Sequence, residues 1–357
     1  MAVTNFGKYP IIGEDRVAPP EDLQYGEEEV TGWIQSFKDN FTIQKIKEDQ
    51  DGMHLEFDLM GSEPFLANAL RRILIAEVPT MAISCVNMYR NTSVMQDEVL
   101  AHRLGLVPFK APAHLFSVHK EGDEYTDENS VTYELKVRCK KRSEDSSVFS
   151  RDFKCRYTDE LLRKLGVDPS NENEKKVAIE RDPCGPLYED ILIVKLNDGN
   201  EVSAVVAATK STGSDHARHS PVSTAFYQFM PCINLVETAG GTKEKKKYVK
   251  KLILTDEKAE IFKNSFNDGV IQVEASKKEG FSLVKVANPR LDKYSRNIFK
   301  HEELKDKVEM RIKKDHQMFT VQSESAYTAK ELVIQAIDIL KEKCESTLRA
   351  VENLNIE

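Results

Sequence analysis

The sequence has no closely spaced pair of cysteines. Six cysteines are present, and the smallest gap, between Cys139 and Cys155, is 16 residues. Zinc ribbons, zinc fingers and ferredoxin clusters need two thiolates that reach one metal from a single short turn, so this spacing argues against all three. The sequence therefore predicts no metal site and no cofactor, and it predicts six reduced thiols that are mostly buried.

Long apolar runs are also missing. The apolar stretch at Val78–Met81 is interrupted by Pro79 and is far shorter than the roughly 20 residues that a membrane helix needs. The first twenty residues include the charged residues Lys8 and Glu14 and contain no apolar segment of the kind found in secretory signals. The sequence therefore predicts a protein of the cytosol or nucleus that does not associate with membranes.

An excess of positive charge is a third absence. The chain has 51 Lys and Arg against 59 Asp and Glu, a net charge of −8, which disfavours a free-standing nucleic-acid binder. One basic stretch, Lys243–Lys251, contains six lysines and is a candidate for a nucleic-acid patch, an RNA-binding module or an import signal. Because Tyr248 and Val249 interrupt it, a solvated hairpin is the favoured interpretation.

The spacing of the apolar residues predicts a mixed α+β fold. Residues 53–59 alternate strictly between apolar and polar, which is typical of a half-buried strand in a hairpin. A helical pattern follows over 65–78 and should end at Pro79. Further strands are predicted at 81–89, 131–139, 191–196 and 318–322, with a short helix at 97–104.

The C-terminal segment carries the clearest helical signal. Thr328 and Glu331 form a Thr-x-x-Glu capping box that predicts the start of a helix. The apolar residues that follow step by three or four positions and stay aligned for about five turns, as Val333, Ile337, Leu340, Cys344, Leu348 and Val351. A helix of about 25 residues is roughly 37 Å long, longer than the predicted strands could cover. We therefore expect this stripe to bind a partner.

The segment Asp215–Ser220 is the strongest candidate for enzyme chemistry. His216 and His219 could bind a metal, and Ser220 could act as a nucleophile, which would suit a metal-dependent or serine hydrolase. However, no HExxH or GxSxG motif is present, and Pro221 predicts an extended loop at Ser220. The sequence therefore predicts that the chain is not an enzyme.

Two adjacent arginines, Arg71 and Arg72, lie in the predicted helix over 65–78. Because neighbouring helical residues are about 100° apart, at least one guanidinium must point away from the apolar face. The helix is otherwise almost uncharged. Guanidinium groups on such a surface suit bidentate contact with a carboxylate or carbonyl of a partner.

Several separated motifs, in the right order, strongly resemble the α-like subunits of multisubunit RNA polymerases. They cover most of 41–351 and begin with the helix that contains Asn68, Arg71 and Arg72. The matching segments are Phe65–Thr80, Asn91–Pro108, His219–Tyr227, Ala287–Arg290 and Phe319–Ala326. The zinc loop of the polymerase II member and the ferredoxin-like cysteines of many archaeal members have no counterpart here. The chain therefore looks most like the larger α-like subunit shared by RNA polymerases I and III, with an α-like subunit of another polymerase as the alternative.

The resemblance implies a discontinuous dimerisation domain formed by 41–79 and 317–357. It implies an inserted, mainly β domain at 80–316 and an N-terminal extension at 1–40 whose role stays open. Asn68, Arg71, Arg72 and the C-terminal stripe would contact other subunits, with catalysis left to the two largest subunits.

The implied partners are all subunits of the same polymerase. They are a smaller α-like subunit, the second-largest subunit and small zinc-binding common subunits. Nucleic acid would be reached only through the assembled polymerase. The implied role is assembly in support of rRNA, tRNA and 5S RNA transcription, in the nucleolus and nucleoplasm of the nucleus.

Overall fold

Helices and strands alternate irregularly along the chain, as in a mixed α+β protein. The structure is a computed structural model that describes residues 9–19, 30–120, 122–139, 147–238, 246–275 and 279–354. The helices in these residues are α1 (Val30–Asn40), α2 (Pro64–Ala76), α3 (Asp97–Gly105), α4 (Asp159–Lys164), α5 (Glu172–Arg181), α6 (Asp256–Asn264), α7 (Glu302–Lys305) and α8 (Ala329–Leu354). None of these helices is both long enough and apolar enough to cross a bilayer.

The strands of the described residues fall into four sheets. In chain order they are β1 (Ile11–Ile12), β2 (Val17–Ala18), β3 (Thr42–Glu48), β4 (His54–Met60), β5 (Thr80–Asn91), β6 (Ser130–Arg138), β7 (Ser147–Phe149), β8 (Phe153–Cys155), β9 (Leu192–Lys195), β10 (Glu201–Ser211), β11 (Val222–Thr238), β12 (Lys246–Val249), β13 (Leu252–Thr255), β14 (Ile271–Ala275), β15 (Phe281–Val286) and β16 (Val308–Ser323). The largest sheet has the order β12-β11-β16-β1-β2, and β4 pairs with both β16 and β3. The others have the orders β5-β10-β6-β8, β13-β15-β14 and β7-β9.

The predicted α+β fold class is confirmed, and most predicted elements are present. The hairpin forms as β3 and β4, and the helix that follows it begins at Pro64 and ends at Ala76. The strand predicted at 318–322 is the end of the 16-residue strand β16, which the alternation pattern alone did not show. For the lysine-rich stretch, residues 243–245 lie outside the described residues, and β12 pairs with β11 as a hairpin.

The chain divides into two compact units. Unit 1 comprises 1–44, 57–67 and 227–319, and unit 2 comprises 45–56, 68–226 and 320–357. Compactness and subunit pairing are different criteria, so the predicted domains at 1–40, 41–79, 80–316 and 317–357 stay a prediction.

The core of unit 1 is built on the three-stranded sheet and α6. Phe262 of α6 is fully buried among the inward side chains of β13, β14 and β15. Elsewhere in unit 1, Phe57 stacks on Phe319 with ring centroids 5.1 Å apart. Such aromatic pairs add to the stabilisation that burial alone provides.

The N-terminal segment 9–19 is part of unit 1. Ile11 pairs with Arg311 of β16, and Ile12 is 3% exposed within the core. The Arg311 guanidinium is fully buried, donates to Glu309 Oε1 at 2.6 Å, and donates to the carbonyl of Tyr9 at 3.1 Å. A buried charge is tolerated only when it is paired in this way, so Arg311 fixes the path of the N-terminal segment.

Unit 2 is organised around β10. This strand pairs with β5 on one side and β6 on the other, and the side chains of Val202, Val206 and Leu135 are fully buried. Helix α3 packs against β5 through Leu100 and Leu104, which are both inaccessible to solvent.

The cysteines are free thiols, as predicted, but only half of them are buried. Cys139, Cys184 and Cys232 are buried, Cys85 and Cys155 are half-buried, and Cys344 is exposed on α8. The expectation that the thiols are mostly buried therefore holds for three of the six.

We predict that Ile12→Ala lowers the free energy of unfolding by about 2–5 kcal/mol, because it removes a core side chain from a site that cannot fully collapse. Urea denaturation of the full chain measures this change. Val17→Ala, at a side chain that is 47% exposed on the neighbouring strand, is the matched control and should stay within about 0.5 kcal/mol of wild type. Equal stability of the two variants would show that segment 9–19 does not contribute to the core.

Candidate subunit interfaces

Helix α8 begins with the predicted capping box. The Glu331 carboxylate accepts from the Thr328 N–H and hydroxyl, both at 2.9 Å, and the Glu331 N–H donates to Thr328 Oγ1 at 3.3 Å. The Ala329 N–H also donates to the carbonyl of Gly52 at 2.9 Å. These bonds satisfy backbone donors of the first turn and fix the direction in which the helix leaves the fold.

Only the first part of α8 has buried side chains. The buried side chains are Ala329, Leu332 and Ala336, and every residue of 341–354 is exposed. At 1.5 Å per residue, the exposed end is about 21 Å long. The fold of this chain therefore leaves the last three to four turns of α8 in water.

The predicted stripe follows this division. Val333 and Leu340 are half-buried, and Ile337, Cys344 and Leu348 are exposed. Leu348 is 60% exposed and Val351 is 49% exposed. Two exposed side chains that the sequence pattern did not single out, Ile334 and Leu354, extend the apolar surface, since each lies three residues from a member of the stripe.

An ion pair supports α8 where it leaves the fold. The Lys343 ammonium lies 2.6 and 2.7 Å from the two carboxylate oxygens of Glu77, which follows α2. Both side chains are partly exposed, so the pair contributes little to stability. Its role is to connect the exposed end of α8 to the end of α2.

Helix α2 places the predicted polar residues on its outer side. Arg72 is exposed, Arg71 is half-buried, and the Arg71 guanidinium donates to Asn68 Oδ1 at 2.8 Å. Leu70, Ile73 and Leu74 are buried, as the helical spacing predicts. At least one guanidinium therefore points to solvent, and whether these residues bind a partner stays a prediction.

Two apolar side chains on α2 are exposed, and the sequence did not predict the exposure of either. Phe65 is 57% exposed, although its spacing placed it with the buried residues, and Ile75 is 37% exposed. Ile75 lies three residues from Arg72, so both point to the same side of the helix. The exposed surface of α2 is therefore apolar as well as cationic.

The C-terminal end of α2 is held by the turn that follows β10. The Ser214 N–H and hydroxyl both donate to the carbonyl of Ala76 at 2.8 Å. A Cβ at Gly213 would lie 2.3 Å from the carbonyl oxygen of Ile75, so only glycine permits this approach.

The same loop contains the candidate hydrolase residues, and each of them has a local structural role. His216 Nδ1 accepts from the Arg218 N–H at 3.1 Å, and Ser220 Oγ donates to the carbonyl of Val222 at 3.4 Å. Asp215 accepts from Ser211 and Thr212, which lowers the pKa of its carboxyl group. Ser220 is therefore not arranged as a nucleophile beside a histidine base.

His219 and Arg218 bind this loop to β5. The Thr80 hydroxyl donates to the carbonyl of His219 at 2.7 Å, and the Arg218 guanidinium donates to the carbonyl of Ile83 at 2.7 Å. In the described part of the chain, no three His, Cys, Asp or Glu side chains are grouped so that they could hold a metal ion.

Comparison with known proteins identifies the family. Residues 56–344 match the RNA polymerase Rpb3/Rpb11 dimerisation domain. Subunit RPAC1 of mouse DNA-directed RNA polymerases I and III is 36% identical over 327 residues, which cover 91% of this chain and 89% of the mouse protein. The chain belongs to the Rpb3/Rpb11 dimerisation-domain family.

The prediction from the sequence motifs, that the chain is an α-like subunit of an RNA polymerase, is thus confirmed. RPAC1 of Saccharomyces cerevisiae is 33% identical, covering 88% of this chain and 91% of the yeast protein. Subunit 3 of Arabidopsis thaliana RNA polymerases II, IV and V is 31% identical, covering 85% and 89%. Membership of a family of polymerase subunits also confirms that this α-like subunit is not itself an enzyme.

We predict that the stability of the α-like subunit falls as the pH drops below about 6.5. Burial lowers the pKa of His219 from its ordinary value of 6.5, so near and below that pH the unfolded chain binds a proton that the folded chain does not. The stabilising contribution of neutral His219 is therefore complete above pH 6.5 and declines as the pH falls towards the lowered pKa of the folded chain. Urea denaturation at pH 7.5, 6.5 and 5.5 should show a smaller decline for His219→Gln than for wild type; identical declines would contradict the prediction.

Proposed function

We propose that the chain is the larger α-like subunit shared by RNA polymerases I and III, and that it serves as a non-catalytic assembly platform. The observation that carries this proposal is the similarity of the chain, along about 90% of its length, to mouse and yeast RPAC1, which are named as subunits of RNA polymerases I and III. The identity to these proteins is 33–36%, against 31% for the Arabidopsis subunit of polymerases II, IV and V.

This function makes the chain a nuclear protein that supports the synthesis of rRNA, tRNA and 5S RNA. Its work in polymerase I places it in the nucleolus, and its work in polymerase III places it in the nucleoplasm. Its partners are a smaller α-like subunit, the second-largest subunit and small zinc-binding common subunits.

The exposed end of α8 is the surface we assign to the smaller α-like subunit. Each large aliphatic side chain that is removed from water stabilises the buried state by about 1.5–3 kcal/mol. Ile337, Leu348 and Val351 are 41%, 60% and 49% exposed in the isolated chain, so about half of that energy is still available for binding. An apolar stripe of this length on a soluble protein is typical of an interaction surface.

The outer side of α2 is the surface we assign to the second-largest subunit. Arg72 offers an exposed guanidinium beside the apolar Ile75, and Arg71 is held by Asn68 Oδ1. Arginine and apolar side chains together are typical of the residues that dominate binding energy at protein interfaces. A carboxylate or carbonyl on the partner would complete a bidentate contact with Arg72.

We predict that Leu348→Asp with Val351→Asp abolishes the complex with the smaller α-like subunit, because two carboxylates would be desolvated without partners. Coexpression followed by sizing chromatography with light scattering measures the complex. Both positions are exposed in the isolated chain, so its stability should not change.

Ser346→Asp with Asn353→Asp is the matched control, because these exposed residues lie on the opposite face of α8. The control should form a 1:1 complex. A wild-type chain that stays a monomer with the smaller subunit present, or a complex that tolerates Leu348→Asp with Val351→Asp, would contradict the proposed role of α8.

We predict that Arg71→Ala with Arg72→Ala weakens binding to the second-largest subunit by about 2–5 kcal/mol, if one guanidinium is buried in a paired contact. Quantitative pull-down of the purified subunits measures the loss, and circular dichroism checks that the variant stays folded. Arg156→Ala with Arg163→Ala, at two exposed arginines elsewhere in unit 2, is the control and should bind like wild type. Wild-type recruitment by the Arg71 and Arg72 variant would show that the pair is only solvated surface.

A further inference from the structure

The three-stranded sheet of unit 1 has apolar side chains on both of its sides. Leu252, Leu254 and Val284 point inward to α6 and are buried. On the outward side, Ile253 is 57% exposed and Phe281 is 41% exposed. An antiparallel sheet with one side in water normally alternates between apolar inward and polar outward residues, so these outward positions depart from the rule.

Strand register places the outward residues in rows. Ile253 lies opposite Leu283, and Leu283 lies opposite Glu274, so the three form one row across β13, β15 and β14. Leu283 is half-buried. The row thus runs from two aliphatic side chains to a carboxylate.

Two lysines share that carboxylate. The Lys251 ammonium lies 2.7 Å from Glu274 Oε2, and the Lys285 ammonium lies 2.5 Å from Glu274 Oε1. Hydrogen bonds from both lysines lower the pKa of Glu274 to about 2, so the carboxylate is ionised at neutral pH. Two positive charges against one negative charge leave an excess of one positive charge beside the apolar residues.

We propose that the outer sheet face, formed by Lys251, Ile253, Glu274, Phe281, Leu283 and Lys285, binds an acidic segment of another subunit of the assembled polymerase. The segment carries at least one large apolar side chain, which covers Ile253 and Phe281. This inference rests on the proposed function, since it takes the partner from the polymerase. It goes beyond that function because the face lies in β13, β14 and β15 rather than in α2 or α8.

The charge and the side-chain types favour an acidic protein segment over nucleic acid. Carboxylates of the segment would accept charge-assisted hydrogen bonds from Lys251 and Lys285. Nucleic acid without sequence preference needs several phosphate contacts and stacking aromatic side chains. The outer sheet face offers an excess of one charge and one aromatic ring, and its centre, Ile253 and Leu283, is aliphatic.

Photo-crosslinking in the assembled enzyme tests the proposal. Ile253 is replaced by the photoreactive residue p-benzoylphenylalanine in the tagged full-length chain, the polymerase is purified and irradiated, and the products are identified by mass spectrometry. The same replacement at Glu260 is the matched control, since Glu260 is exposed on α6, which packs on the inward side of the same sheet. We expect a crosslink from position 253 to an Asp- and Glu-rich segment of one other subunit, and no such crosslink from position 260.

A second change tests the role of charge. Adding Lys285→Glu to the position 253 variant should lower the crosslink yield at least fivefold, because the excess charge becomes negative. A crosslink to nucleic acid, to a second copy of this chain or to a segment without acidic residues would overturn the proposal, as would a yield unaffected by Lys285→Glu or no crosslink at all. Copurification of the polymerase subunits with the tagged chain is scored separately, so a failure of the proposed function is distinguished from a failure of this inference.

Discussion

Contact between water and the apolar stripe of α8 is the constraint on which the proposed role of this subunit depends. The helix starts at a well-formed cap and packs through Leu332 and Ala336, and every residue of 341–354 is then exposed. The isolated chain gains no hydrophobic stabilisation from these turns, because its own fold does not bury their apolar side chains. Removing Leu348 and Val351 from water would require a second polypeptide, which is why we assign this helix to the smaller α-like subunit.

Contacts elsewhere in unit 2 hold α8 and α2 in fixed positions. Gly213 lets the loop after β10 approach the end of α2, and Glu77 connects the same end to Lys343 of α8. Residues that suggested catalysis, such as His219, bind this loop to β5 instead. Polar groups that look reactive in the sequence therefore hold this loop in place against β5.

Local signals explain how much could be predicted from the sequence. The capping box at Thr328 and the spacing around Leu70 depend on residues three or four positions apart, so the starts and buried sides of α8 and α2 could be predicted. The exposure of Phe65 could not be predicted, because the spacing of apolar residues shows which of them share a face of the helix but not which of them other elements cover. The pairing of Ile11 with Arg311 was also missed, since two-residue strands have no periodicity and their partner is 300 residues away in the chain. The same limit applies to Ile253, whose outward position follows only from strand register.

The position of β1 beside β16 has a consequence for how the chain folds during synthesis. Ribosomes extend a chain at about 5–20 residues per second, so roughly 15–60 s separate the appearance of Ile11 from that of its partner Arg311. During this interval Ile12 can pair with Val17 of β2 but not with Met310 of β16, and the large sheet lacks β16. The residues at 68–226, which form most of unit 2, are complete well before then. The nascent subunit therefore passes through a state in which most of unit 2, without 320–357, has been synthesised and the apolar residues of unit 1 are still accessible to chaperones.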